Sequence, residues 1–164
     1  MNPFAEFAQT LAEDERDTLF ASIPMIIAMI VGADGEFDAL EVGAAVEEMF
    51  AAGAVLGEEF HWSTSAQAAF ERISPLAREQ REAWFHPYLL RLRDVLRQMP
   101  PELRTRYDEF VLGMAVRLAA ASGGFLWFGR PISESEKIML RRVVIALGMN
   151  VQDEALRELL ESDD

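Results

Sequence analysis

Apolar side chains recur along this chain at intervals of three and four residues, with proline, glycine, serine and aspartate marking the gaps, and that period is the signature of amphipathic α-helices. Asn2 and Pro3 are placed to open a short helix reaching about Leu11, with Phe4, Phe7, Ala8 and Leu11 along one side. Asp14 is placed to cap a second helix. In it Leu19, Phe20, Ile23, Ile26, Ile27, Ile30 and Val31 follow the helical period, and Pro24 introduces a kink. After a tight acidic turn at Ala33-Asp34-Gly35 the next helix begins. Val42, Val46, Met49 and Phe50 mark its expected buried side, Glu47 and Glu48 its wet side, and Gly53 its end.

The pattern loosens from Ala54 to Ser63. Ser63 or Ser65 then starts a helix carrying Ala66, Ala69, Phe70 and Ile73, and Ser74-Pro75 marks a new start. The helix that follows is expected to bend or divide at His86-Pro87. Its apolar side is Leu89, Leu92, Val95, Leu96 and Met99, with Arg91, Arg93 and Arg97 outward. Pro100-Pro101 opens a long apolar helix to Ser122, with Leu103, Tyr107, Phe110, Val111, Met114, Leu118 and Ala121 inward. Ser133 and Glu136 form a capping box for another, with Ile138, Met139, Val143, Val144 and Leu147 as its stripe before Gly148. A last short helix spans roughly Gln152 to Glu161. The expected fold is all-α, a single-domain helical bundle over 1–164 with about seven to eight helices.

The turn after the second helix carries the densest chemistry. Gly35 takes a positive φ cheaply, Phe37 is placed to plug the core, Asp38 to cap the next helix, and Glu41 to close a capping box. The stretch Asp34-Gly35-Glu36-Phe37-Asp38-Ala39-Leu40-Glu41 also fits the second half of a calcium-binding helix-loop-helix loop. The first half does not fit, because Ile30 and Gly32 stand where earlier side-chain ligands belong. The turn therefore reads first as a capped corner, and second as a partial or shared site for Ca2+ or another divalent cation.

A degenerate copy of the unit returns. Ala121-Ser122-Gly123 lines up with Ala33-Asp34-Gly35, Ile132 with Phe37, Ser133 with Asp38 and Glu136 with Glu41, with residues 124–131 inserted. Two helix-turn-helix units, about 15–53 and 101–148, would then flank a helical segment, 54–100, in an internal repeat. An ion held by both copies would draw on Glu134 and Glu136 from the second.

Charge adds a division that the periodicity does not show. The net formal charge is −13, distributed as −12 over residues 1–60, +3 over 61–106 and −4 over 107–164. So acidic a chain is a poor match for nucleic acid. Pairing of the basic middle with the acidic first segment is the ordinary expectation, and a docking face for an anionic partner the sharper one. The absence of cysteine excludes thiol redox chemistry, zinc-thiolate sites and a disulfide framework. The first residues, MNPFAEFAQTLAEDE, lack the basic start and apolar run of a secretory leader, and Ile23 to Val31 is too short to span a bilayer. A cytoplasmic location without a transmembrane segment is the expectation.

The paired turns, each ending one apolar helix and opening another, resemble the tellurite-resistance TerB-like family. The matching residues are Gly32-Ala33-Asp34-Gly35-Glu36-Phe37-Asp38 with Glu41, and Ile132-Ser133-Glu134-Ser135-Glu136 followed by Arg141-Arg142-Val143. The resemblance covers about Asp14 to Leu160. It implies an all-helical domain of this size, found with tellurite resistance and wider stress-response systems, and as the N-terminal module of some membrane-associated J-domain co-chaperones. It implies an interaction or metal-sensing role rather than an enzymatic one, with Asp34, Glu36, Asp38, Glu41, Glu134 and Glu136 as the acidic positions of interest. The chain departs from the family at Ser122-Gly123, where an Asp-Gly is expected, and in the long segment 54–100.

Phe125, Leu126, Trp127 and Phe128 lie between Gly123-Gly124 and Gly129 and are the candidate partner-binding residues, either exposed for a protein, self-association or membrane-surface contact, or folded back over the core. His61 and His86 lack ligand spacing. Lys137 follows no phosphate-cradling glycine loop, and neither a nucleophile elbow nor an HExxH occurs. The expected function is a non-enzymatic interaction module of a tellurite or stress response, with a protein partner. The alternatives are a dedicated calcium- or other divalent-metal-binding protein and an unrecognised hydrolase or transferase, which would need a deep polar pocket away from both turns. A homo-oligomer remains open.

Overall fold

The computed structural model describes residues 2–33, 39–123 and 133–161. Among them nine α-helices form, α1 (Pro3–Ala8), α2 (Glu13–Phe20), α3 (Ser22–Val31), α4 (Ala39–Val55), α5 (Thr64–Ile73), α6 (Arg78–Leu96), α7 (Pro101–Gly123), α8 (Glu134–Leu147) and α9 (Glu154–Glu161), with a 3-10 turn at Glu58–Phe60 and no strand. The fold is an all-α bundle, as the period of the sequence requires. Among the described residues, no helix is long and apolar enough to cross a membrane.

The centre of the bundle is α3. Ile23, Met25, Ile26, Ile27, Met29, Ile30 and Val31 are all buried, on every side of the helix, and a helix without a polar face must be surrounded. It packs against α4, α5, α7 and α8, while α6 joins α2 to α8 at one edge. From α7 the residues Leu103, Tyr107, Phe110, Val111, Met114 and Leu118 point into the same core, as the sequence indicates.

Local chemistry sets the helix ends. Asn2 accepts a hydrogen bond from the Phe4 amide at 2.8 Å, with Pro3 beside it at the first helical position. Ser63 caps α5 by accepting from the Ala66 amide, and Ser133 and Glu136 exchange hydrogen bonds at the start of α8, at 2.8 and 3.2 Å. Gly148 ends α8 in the left-handed region, φ 63°, where it costs least.

Several expected boundaries are corrected. Asp14 does not cap α2; Ala12 precedes that helix, and Glu15 reaches back to its amide. The expected kink at Pro24 is a full break at Ala21, which leaves the proline in the first turn of α3, where its missing N–H has no partner to lose. α6 begins at Arg78 rather than at Ser74-Pro75, and it runs unbroken through Pro87. Pro87 and Ala83, whose carbonyl loses its donor, both lie on the wet side, so water replaces the lost hydrogen bond. Ile138 and Phe70, expected inside, are largely exposed.

The ion pairs also depart from expectation. Among the described residues, the arginines of the basic middle segment pair with Glu82, Asp94 and Asp108, and none pairs with an acid of residues 1–60. The hydrogen bonds between those segments each have an uncharged donor, Gln98 to Glu15, Ser65 to Asp17 and the Tyr88 hydroxyl to the Thr18 carbonyl.

Candidate interaction surface

The largest correction concerns α4. Three of the four residues of its expected buried stripe face outward: Val42, Val46 and Phe50 are 48%, 41% and 63% exposed, while Met49 packs partly against the core as expected and Glu48, expected in water, is 7% exposed. The buried side is made of small residues instead. Ala52 is fully enclosed and Ala44, Ala45 and Ala51 pack partly against the core, on a helix that packs against α7. Alanines seven residues apart, Ala44 with Ala51 and Ala45 with Ala52, fall two turns apart on one side and let two helix axes approach closely, and that close contact wins over burial of the bulkier valines and phenylalanine.

Burying Glu48 requires a partner, and α7 supplies one. The Arg117 guanidinium donates through Nε and a terminal nitrogen to the two Glu48 oxygens, at 2.6 and 2.8 Å. This bidentate fork is the strongest geometry a carboxylate can be given. It holds the arginine's charge, raising its proton affinity above the ordinary value chiefly through the Glu48 hydrogen bond. Gly113 contributes by what it lacks: a Cβ there would lie 3.0 Å from an Arg117 terminal nitrogen, so the bare backbone leaves room for the guanidinium. The pair locks the rotation of α4 and so fixes which side of it faces out.

On that outer side Phe50 stacks on His61, with ring centroids 4.5 Å apart and 32° between planes. The histidine here supports an aromatic rather than a metal. Full burial of a Val or Phe side chain contributes about 1.5–3 kcal/mol, so an outward Val42, Val46 and Phe50 leave a substantial favourable term unrealised.

The sequence-derived candidates fall elsewhere. Asp34, Glu36, Asp38 and the plug Phe37 lie outside the described residues, as do Phe125, Leu126, Trp127, Phe128 and Ile132. Glu41 lies in the first turn of α4, and the disposition of its carboxylate is likewise outside them. Glu136 is buried with its carboxylate turned to the Ser133 amide, and Glu134 pairs with the Lys137 ammonium at 3.0 Å. Both carboxylates are thus engaged by the protein itself. Among the described residues no three His, Asp or Glu side chains converge as a cation would need.

A groove of about 830 Å3 runs along α7 and the α8–α9 connection, with Asp108, Glu109 and Asp153 on its walls. Burial pushes the Asp108 carboxyl above its ordinary range, opposed by Arg104 at 2.7 Å, and Asp153 accepts from the Leu156 amide at the start of α9. Two of the three carboxylates are therefore occupied with structure. No family model, curated protein or solved structure matches this chain.

Proposed function

We propose that the chain is a non-enzymatic, TerB-like interaction module of a tellurite or wider stress response, and that it docks a protein partner through the outer face of α4. The observation that carries this is the orientation of that helix. A bidentate ion pair with a buried carboxylate holds Val42, Val46 and Phe50 toward solvent, although the same helix turned over would bury them. Apolar residues clustered on one exposed helix face are the anatomy of a helix-in-groove or helix-on-helix contact. The displaced titrations fit the same reading, since those of Tyr88, Tyr107 and Asp108 follow from burial within helix packing rather than from a convergent catalytic group.

The test is a photo-crosslinking residue at Val46 in the cell of origin, with the same residue at Glu109 as control. A discrete protein adduct from position 46, absent from position 109, is the expected result. No adduct from position 46 under conditions that report known contacts would remove the proposal.

A further inference from the structure

A second apolar surface lies on helices other than α4. Between α6 and α8 a cleft of about 210 Å3 is lined by Phe85, Leu89, Met139, Ile145 and Ala146. Ile145, 77% exposed, forms one lip. The volume is below that of most sites for drug-sized ligands and suits one large side chain. Its rim is basic. Arg78 and Arg142 both reach Glu82, at 3.4 and 3.6 Å, so two guanidiniums share one carboxylate, and Arg81 lines the adjoining pocket toward the end of α3.

The two surfaces are opposite in kind. The α4 face presents an aromatic knob, Phe50, on a helix whose exposed Glu47 belongs to the segment of net charge −12. The cleft presents an apolar hole bordered by positive charge. The larger groove along α7 is the wrong acceptor, because Asp108, Glu109 and Asp153 outnumber Arg117 on its walls, and Arg117 is already held by Glu48, so the acidic segment would meet like charge there.

We infer that α4 of one copy docks into the α6–α8 cleft of a second copy, with Phe50 as the anchor and Arg78, Arg81 and Arg142 facing the acidic segment. This rests on the docking role of α4 proposed above and names its partner. α4 packs on α3, α7 and the 3-10 turn, and the cleft belongs to α6 and α8, so the contact joins different patches. It is head-to-tail and builds rings or open chains rather than a two-fold dimer.

Sedimentation velocity of the full chain, from low micromolar to several hundred micromolar, tests this. The wild type is expected to rise above its 18.4 kDa monomer mass with concentration, less so in high salt. Phe50→Glu and Ile145→Glu should each associate at least about tenfold more weakly, with helical circular dichroism unchanged, and Arg81→Glu should weaken it without touching the apolar contact. The decisive arm mixes Phe50→Glu with Ile145→Glu. Each retains one intact face, so the mixture should form a dimer and stop there. A monomeric wild type, association indifferent to either substitution, or a mixture that stays monomeric overturns the inference. A monomeric wild type whose Val46 crosslinks reach a different protein removes self-docking and leaves the docking role standing. Absence of any crosslink removes both.

Discussion

Arg117 on α7 holds both carboxylate oxygens of Glu48 on α4, at 2.6 and 2.8 Å, with the acid buried and the base half exposed. The asymmetry in exposure makes the two ends unequal. Glu48→Gln leaves a guanidinium that water can reach, and should cost about 1–2 kcal/mol. Arg117→Met leaves a buried carboxylate unpaired and should cost more, about 2–3 kcal/mol, whereas Glu48→Gln combined with Arg117→Met should cost less than the sum of the singles. Urea unfolding of the four proteins measures this cycle, and equal single costs that simply add would contradict it.

The start of α8 depends on a two-way exchange between Ser133 and Glu136. Ser133→Ala removes the acceptor for the Glu136 amide and should cost about 1 kcal/mol by urea unfolding. Gly148→Ala at the other end of the helix, where φ is 63°, should cost about as much.

Tyr107 and Ser22 are fully buried and their hydroxyls neighbour each other, close enough for Ser22 to favour the phenolate but without the geometry of a full hydrogen bond, and neither has another partner among the described residues. Burial raises the phenol well above its ordinary value, and Ser22 offsets only part of that. Removing an unsatisfied polar atom from a core is neutral or favourable, so Tyr107→Phe should match the wild type or exceed it by up to about 1 kcal/mol in a thermal melt. A loss of 2 kcal/mol or more, on the order of a broken buried hydrogen bond, would reveal a partner for that hydroxyl.

Asp108 gives a pH dependence whose sign follows from its surroundings. Desolvation raises its folded carboxyl above the unfolded one, more than the Arg104 hydrogen bond lowers it. The folded state therefore binds this proton more tightly, and ionisation costs stability at pH above the folded value. That cost is relieved as pH falls through the folded value toward the unfolded one near 4. Compared with Asp108→Asn, the wild type should gain relative stability between about pH 7 and pH 4, measured by urea unfolding at several pH values.

The helices were legible because period and punctuation agree along most of the chain. Asn2-Pro3, Ser63, the Ser133-Glu136 box and Gly148 all act at their expected places, and the α7 stripe is buried from Leu103 through Leu118. The failures share a cause. Pro24 and Pro87 read as damage inside helices, yet one sits in a first turn and the other faces water, and only tertiary placement distinguishes these.

In α4 the choice was between two sides of a helix with hardly any polar contrast. The bulky apolar residues pointed one way and the alanines the other, and close packing on α7 chose the alanines. The signal was present in the spacing of Ala44, Ala45, Ala51 and Ala52. The role of Glu48 was not, because its partner lies on α7, far along the chain, and nothing local marks Arg117 as the cation that permits burial.

The outward α4 face can be read chemically, since the chain has no cysteine of its own. Single cysteines at Val46, Phe50 and Ala52 should be labelled by a thiol reagent at a dilution where the chain is monomeric. Positions 46 and 50 should react at nearly the unfolded rate and position 52 only through unfolding, slower by several orders of magnitude. Protection at 46 and 50 equal to that at 52 would mean that α4 is turned the other way, and the docking face would not exist.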